Sequence, residues 1–439
     1  MKKVKLKFQR IKIGTKLILF LLFIIIIIGI KKNFIIFILK HLIKAKKNIR
    51  PNNNDYCDNL DPIKLLNLRL ETEQIIICQY EKSKHICYQN SNENYNNIFY
   101  SKNGVICKME NIVLDPSKSN HTNIIYKGPV DEVNRGCPLL SKGFLNMKCK
   151  NNSNLENYNY IYKSYFQSWN YSYNNNNSEE LEELSSGKTI FFISRNQDSP
   201  NLFHGSSELI NSISIMELFD LNPENIQIIF LESMTINNDP LYDLYKNIVS
   251  RGGEPIYIRN LKKKYKISSA FHIPINWDSG AFITNDFHNC KYSTKTYKLL
   301  NYLVNKYMKI PDFKDTFISD NEIYYYPQSV IENYKSKIIF KKTVTIQWRK
   351  VWPKGRTGQY RILANGPELA DELASILPSN ILIRLIDTAS LSIREQISIM
   401  RKTDYLVGIH GAGLCLSIFM PQESIMHEVV PFKCNSLLT

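Results

Sequence analysis

Asp404-Tyr-Leu-Val-Gly-Ile-His-Gly-Ala-Gly-Leu-Cys-Leu-Ser-Ile-Phe-Met-Pro421, followed by Met426-His-Glu-Val-Val-Pro431, is the stretch that decides the fold class. A β-branched run ends at Gly408, three glycines surround His410, an apolar run suited to a helix follows Gly413, and Val429-Val430 lies beyond the Pro421 stop. The order is strand, glycine turn, helix, strand. In a doubly wound α/β domain such a turn stands at the carboxyl edge of the sheet, where glycines let backbone approach a ligand and free helix amides favour an anion such as phosphate.

The same alternation extends upstream. Thr343 to Trp348 and Asn380 to Ile386 read as strands, and Gly366 to Leu377 and Leu391 to Lys402 as helices. An earlier series has strands at Lys188 to Ser194, Ile226 to Leu231 and Glu254 to Ile258, with helices at Phe203 to Phe219 and Leu241 to Ser250. Buried apolar strands alternating with helices indicate parallel sheets. The expected fold class is α/β, with two facing Rossmann-like lobes: residues 187–335 and residues 340–439, joined through an aromatic, less regular stretch at 290–340.

Residues 40–186 are polar, Asn- and Tyr-rich and short of helical period, apart from strand-like pieces at Glu73 to Cys78 and Asn123 to Tyr126. They read as a stem and an irregular, disulfide-tied region. Six of the nine cysteines lie here: Cys57, Cys78, Cys87, Cys107, Cys137 and Cys149. Such clustering suits disulfides where the core is small. Zinc is the competing reading, but no Cys-x2-Cys pair and no histidine pair has ligand spacing. An odd count leaves one thiol over, for which Cys415 is the candidate.

The net charge of +16 first suggests nucleic acid. Its location removes that support: residues 1–50 hold 14 Lys and Arg and no acid, which leaves 42 basic against 40 acidic residues in the rest. The basic tail, 1–16, precedes an apolar run from Leu17 to Ile30, with Phe34 to Leu39 extending it. A run of 14 is short for a span of about 20 residues, but flanking lysines can snorkel. A signal anchor over 17–39 is expected; a cleaved signal peptide and an interfacial helix are the alternatives. Four Asn-x-Ser/Thr sequons, at Asn120, Asn151, Asn170 and Asn176, lie in loop-like sequence and suit a luminal chain. The expected placement is a single-pass type II protein of the Golgi or endoplasmic reticulum membrane.

Gly408, His410, Gly411, Ala412, Gly413 and Leu414, with Glu428 in the next strand, resemble a motif of glycosyltransferase family 61. That family includes plant xylosyl- and arabinosyltransferases and secretory-pathway O-linked N-acetylglucosaminyltransferases. Trp348-Arg349 and Arg361-Ile-Leu-Ala-Asn365-Gly-Pro-Glu368-Leu369 resemble its Arg and Arg-x-x-x-Asn-x-x-Glu-Leu segments, and Asn201-Leu-Phe-His204-Gly-Ser-Ser-Glu208 its Asn-x-(Tyr/Phe)-His-x-x-x-Asp segment. The resemblance implies a GT-B fold whose C-terminal lobe holds a UDP-sugar. Arg349, Arg361 and Asn365 would serve the nucleotide-sugar, since a guanidinium fork suits phosphate oxygens. His410, Gly411, Ala412 and Gly413 would contact the donor, and Glu428 would take the ribose hydroxyls. Glu208, or His204 oriented by it, would remove the acceptor proton in an inverting transfer, the two lying i, i+4 on one helix face. No Asp-x-Asp occurs, so transfer without a metal and without a cofactor is expected.

Two departures bear on activity. Cys415-Leu416 stands where the family continues with Thr and a polar residue, and the sequence ends at Thr439, shortly after the strand bearing Glu428. A truncated chain, or a degenerate member acting as a carbohydrate- or nucleotide-binding scaffold, is therefore the alternative to an enzyme acting on a protein or polysaccharide hydroxyl. A serine hydrolase fails for lack of a Gly-x-Ser-x-Gly elbow, and a nicotinamide enzyme is a weak reading without Gly-x-Gly-x-x-Gly.

Overall fold

The computed structural model describes residues 74–88, 106–120, 139–149, 168–171, 181–193, 202–231, 241–273, 295–317, 323–348 and 362–430. Residues 1–39, the expected tail and anchor, lie outside these. Among the described residues no helix is long and apolar enough to cross a membrane.

Strands β1 (Gln74–Tyr80), β2 (Ser83–Tyr88) and β3 (Ile106–Leu114) form an antiparallel meander. β4 (Ser119–Asn120) and β5 (Leu139–Leu140) pair by themselves, whereas β6 (Leu145–Asn146) joins β3 to β7 (Trp169–Asn170). Next come β8 (Thr189–Ile193), α1 (Leu202–Leu218), β9 (Ile226–Phe230), α2 (Tyr242–Leu244, continued by a π-helical turn at Tyr245–Val249), β10 (Ile256–Tyr257) and β11 (Tyr265–Ile273). The first sheet has the order β1-β2-β3-β11-β8-β9-β10, parallel from β11 to β10 and antiparallel beyond.

Its centre follows from composition: Ile190 to Ile193 and Ile226 to Phe230 are buried on both faces, the pattern of an interior parallel strand. The sheet also reaches into the stretch expected to be irregular. Strands β1 to β3 each turn residues into a second core with Phe144, Trp169 and Ile229, and disulfides Cys78–Cys149 and Cys87–Cys107 fasten them. β1 matches the strand-like piece expected at Glu73 to Cys78, whereas the Asn-rich insertion before β3 hides the rest of the meander in a linear reading. β11 had no counterpart in the sequence pattern, because Lys266, Ser268 and Ser269 interrupt its apolar character before the buried Ala270 to Ile273.

The second sheet contains β12 (Tyr324–Tyr325), β13 (Lys342–Gln347), β14 (Ile381–Ile386), β15 (Tyr405–Ile409) and β16 (Ile425–Val429), in the order β12-β14-β13-β15-β16. All pairs are parallel except the β12 edge. Helices α3 (Lys295–Tyr307) and α4 (Gln328–Lys335) lie in the stretch expected to be less regular, followed by α5 (Gly366–Ile376) and α6 (Ile393–Arg401). α6 opens with a reciprocal capping box between Ser392 and Glu395. The chain is thus mixed α/β, with strand and helix alternating in both sheets.

The helix expected after Gly413 is a 3-10 helix, Ala412–Phe419. Its form fits the span required. Returning the chain along a five-residue strand covers roughly 16 Å, and eight residues rise roughly 16 Å as a 3-10 helix but only about 12 Å as an α-helix.

One core serves both sheets: Phe191, Phe230 and Phe271 of the first pack in a cluster with Leu406, Ile397 of α6, and Leu414 and Phe419 of the 3-10 helix. Beside it, fully buried Arg384 of β14 donates to both Asp315 carboxylate oxygens at 3.0 Å, to Thr345 Oγ1 at 3.0 Å and to the Ile399 carbonyl at 3.0 Å. Tyr326 donates its hydroxyl to Asp315 at 2.8 Å. This buried charge is therefore paired and hydrogen-bonded.

Candidate functional site

Strand order places the chemistry. In the second sheet β13 leads through α5 to β14 on one side, and β14 then leads through α6 to β15 on the other. Connections diverge from between β13 and β15, which makes their carboxyl ends a switch point of the kind where α/β sheets bind ligands. The first sheet has an equivalent point: β8 leads through α1 to β9, while β11 lies on the opposite side of β8. The turn 408–413 stands at the first of these points, and the start of α1 at the second.

At the β15 end, His410 still donates its backbone N–H to the Val429 carbonyl at 2.9 Å, so the strand pairing runs on into the turn. The register sets Gly408 opposite Glu428. His410 Nδ1 meets Glu428 Oε1 at 2.5 Å, with both side chains about one-quarter exposed (23% and 28%). A carboxylate on Nδ1 fixes the ring and directs any ligand contact to Nε2. Sequence reading gave these residues separate duties, on the donor and on its ribose; the structure joins them.

Gly411 caps the 3-10 helix with an extended backbone and no side-chain capping bond, and Ala412 and Gly413 form the first turn beyond it. Amides at the start of such a turn lack intrahelical partners and suit an anion. Cys415 follows, and it is the free cysteine among the described residues. Burial, reinforced by the charge of Glu428, pushes its thiol up to about 12, so at neutral pH it is neither a nucleophile nor a strong hydrogen-bond partner.

Arg349 and Arg361 lie outside the described residues. Asn365 is exposed at the start of α5 without making a side-chain cap, and Glu368 is exposed in the first turn. The charge of Glu368 is felt at Tyr325 of the β12 edge. There burial, the hydrogen bond to Asp371 and the charges of Asp371 and Glu368 push the Tyr325 phenol up to about 12.

On the other side, α1 is buried all round from Glu208 to Met216, as expected of a helix lying between layers. Glu208 itself is fully buried, rather than displayed on a cleft-facing surface. The π-helical Tyr245 donates its hydroxyl to the Gly205 carbonyl at 2.9 Å and anchors the first turn. The side chain of His204 lies outside the description. α1 packs against the 3-10 helix Ala412–Phe419, and Asn301 of α3 donates to its Ile418 carbonyl at 2.5 Å. The two switch points are thereby tied through one layer of helices.

Gln347, the last residue of β13, had escaped sequence reading. It is 8% exposed and donates from Nε2 to Thr388 Oγ1 at 2.8 Å, against the glycine turn. An amide closing a strand in which Thr alternates with Val and Ile, beside Trp348-Arg349, was the available signal. Among the sequons, Asn170 lies in β7, where its Nδ2 donates to Asn146 at 3.3 Å, a poor setting for a glycan acceptor. Asn120 lies in β4, and Asn151 and Asn176 are outside the description. Among the described residues one group could offer metal ligands, His85 with Cys87 and Cys107, and its sulfurs are joined in a disulfide.

Residues 257–427, from β10 almost to the end of β16, match the family model Glycosyltransferase 61. No curated protein matches the chain.

Proposed function

We propose, from the premise that residues 257–427 place this chain in glycosyltransferase family 61 as a glycosyltransferase, that it moves a sugar from a UDP-sugar to a protein or polysaccharide hydroxyl. The sugar is N-acetylglucosamine, xylose or another pentose. The observation that carries the proposal is the His410–Gly413 turn at the β13/β15 switch point, with α1 packed against the helix it opens. In this reading the two sheets are the two lobes of a GT-B enzyme, the second holding donor and the first acceptor.

The turn amides and His410 take the diphosphate, joined by Arg349, Arg361 and Asn365. The acceptor oxygen attacks the anomeric carbon from the face opposite the nucleotide. Its proton passes to the base, the carbon–oxygen bond to the diphosphate breaks, and UDP departs with the electron pair, inverting the centre. Burial of Glu208 favours His204 as the base and Glu208 as the group behind it, one helical turn away. His204 and Glu208 precede the family match, so this part rests on their place at the start of α1. No metal takes part, in keeping with the lack of Asp-x-Asp. Disulfides Cys78–Cys149 and Cys87–Cys107 support a luminal position behind an N-terminal anchor.

Calorimetry of UDP against the full-length chain tests the donor site. Binding that survives EDTA and falls in Arg361→Ala and His410→Ala is expected, and a folded chain without UDP binding would overturn the proposal. Cys415, a protonated thiol where the family has a hydroxyl, favours a second reading as a binding protein; UDP binding without hydrolysis or transfer of a panel of UDP-sugars would select it.

A further inference from the structure

Two glycines of the turn converge on one side chain. A Cβ added to Gly413 would lie 2.2 Å from Gln347 Nε2 and 2.9 Å from its Oε1. A Cβ on Gly408 would lie 3.2 Å from Gln347 Oε1 and 2.6 Å from Leu414 Cδ2. Separations below 3.0 Å are closer than non-bonded carbon and nitrogen allow, so position 413 is glycine to make room for the amide, while at position 408 Leu414 is the closest obstacle and the amide oxygen is a tight second neighbour. Gln347 cannot swing aside cheaply, because it is 8% exposed and bonded to Thr388, itself 5% exposed. Its amide therefore links the exits of three strands: its own β13, β14 through Thr388, and β15 through the two glycines.

We propose that Gln347 is a positioning residue for the nucleoside diphosphate of the donor, a role that rests on the UDP-site reading above. Its amide sets the height and tilt of the His410–Gly413 turn over the end of β13, so that the Ala412 and Gly413 amides meet the anion already aligned. A neutral amide suits the place. It carries no charge to repel phosphate, and it offers a donor to Thr388, which an aliphatic side chain of equal size would not. Gly413 thus serves to seat a residue more than 60 positions upstream as well as to offer its amide to the ligand.

A double-mutant cycle of Gln347→Ala and Gly413→Ala tests this, read by UDP calorimetry and by thermal denaturation of the full chain. Gln347→Ala is expected to weaken UDP binding roughly tenfold or more through misplacement of the turn, with a small fall in Tm. Gly413→Ala is expected to lower Tm strongly in the wild-type background and much less in Gln347→Ala, where the methyl enters the vacated volume. UDP binding stays weak in the double variant. Wild-type affinity in Gln347→Ala overturns the positioning role alone, as does a Gly413→Ala penalty equal in both backgrounds. Should Gly413→Ala fail to fold while the double variant folds, the packing coupling is supported by that rescue. Absence of UDP binding in the wild type overturns the donor reading and this inference with it.

Discussion

Replacing Glu428 separates two jobs for its carboxylate: holding the donor ribose, or holding His410. The 2.5 Å contact between His410 Nδ1 and Glu428 Oε1 is a hydrogen bond to a charged group, a type that contributes about 1.5–3 kcal/mol. With the two side chains 23% and 28% exposed, solvent competes, and the low end, about 1.5 kcal/mol, is appropriate. That corresponds to roughly tenfold in affinity. Glu428→Leu and His410→Gln are therefore each expected to weaken UDP binding about tenfold, and the double variant little more than the worse single, since both remove one unit. Glu428→Gln keeps an oxygen that can accept from Nδ1 and loses only the charge assistance, so a roughly threefold loss is expected. Calorimetry of UDP, at fixed pH and ionic strength, supplies all four corners of the cycle. Losses that multiply to about a hundredfold in the double variant would refute a shared unit and return Glu428 to an independent ribose contact.

Removal of the guanidinium in Arg384→Met leaves Asp315, whose side chain is 13% exposed, as a nearly buried charge with the Tyr326 hydroxyl but without its cation. A loss of about 3–5 kcal/mol is expected, measured as the urea midpoint, with much of it recovered in the Arg384→Met/Asp315→Asn double variant. His85 and His272 give an acid limit to stability. Burial, and for His85 also the charge of His272, lowers both to about 3 from 6.5, so the unfolded chain binds the protons first. Their contribution is complete above pH 6.5 and falls away as pH drops toward 3, by up to about 1.4 kcal/mol per pH unit for each histidine. A Tm series from pH 7 to 4 should show the decline, and His272→Phe should flatten it; an unchanged slope would count against burial of a neutral His272.

The strands with the plainest signal share one property: burial on both faces. β8, β9, β14 and β15 are near-continuous apolar runs, and the sequence announces them as such. Where burial is one-sided or comes from pairing, the signal fades. β11 carries Lys266, Ser268 and Ser269 in its first half and owes its place to β3 and β8, with Ala270 against Met109 on one side and Ile190 on the other. The site divides in the same way. The turn at 408–413 was visible because glycines cluster in sequence, whereas the His410–Glu428 contact depends on a parallel register, Gly408 opposite Glu428, that no local pattern encodes. Gln347 was hidden for a further reason. Its partner Thr388 follows β14 whereas Gly408 and Gly413 lie at the end of β15 and just beyond it, and only the order β14-β13-β15 brings them together.

That strand order also constrains how donor and acceptor sides can communicate. Leu414, Leu416 and Phe419 of the 3-10 helix share a core with Leu209 and Ile213 of α1, so the turn that would hold UDP and the helix bearing Glu208 are packed elements of one body. A closely packed core transmits displacement instead of absorbing it, because few voids are available to take it up. Movement of the His410–Gly413 turn on binding an anion would therefore be felt at α1, with Gln347 below and the apolar face of the 3-10 helix above limiting its direction. The polar restraint from Asn301 to the Ile418 carbonyl lies at the far end of the same 3-10 helix, so that helix is held at both ends, by Gln347 against Gly413 and by Asn301. The glycine turn is consequently set by packing before any ligand arrives, and preorganised donors of that kind are the ones that stabilise the charge developing on a leaving diphosphate.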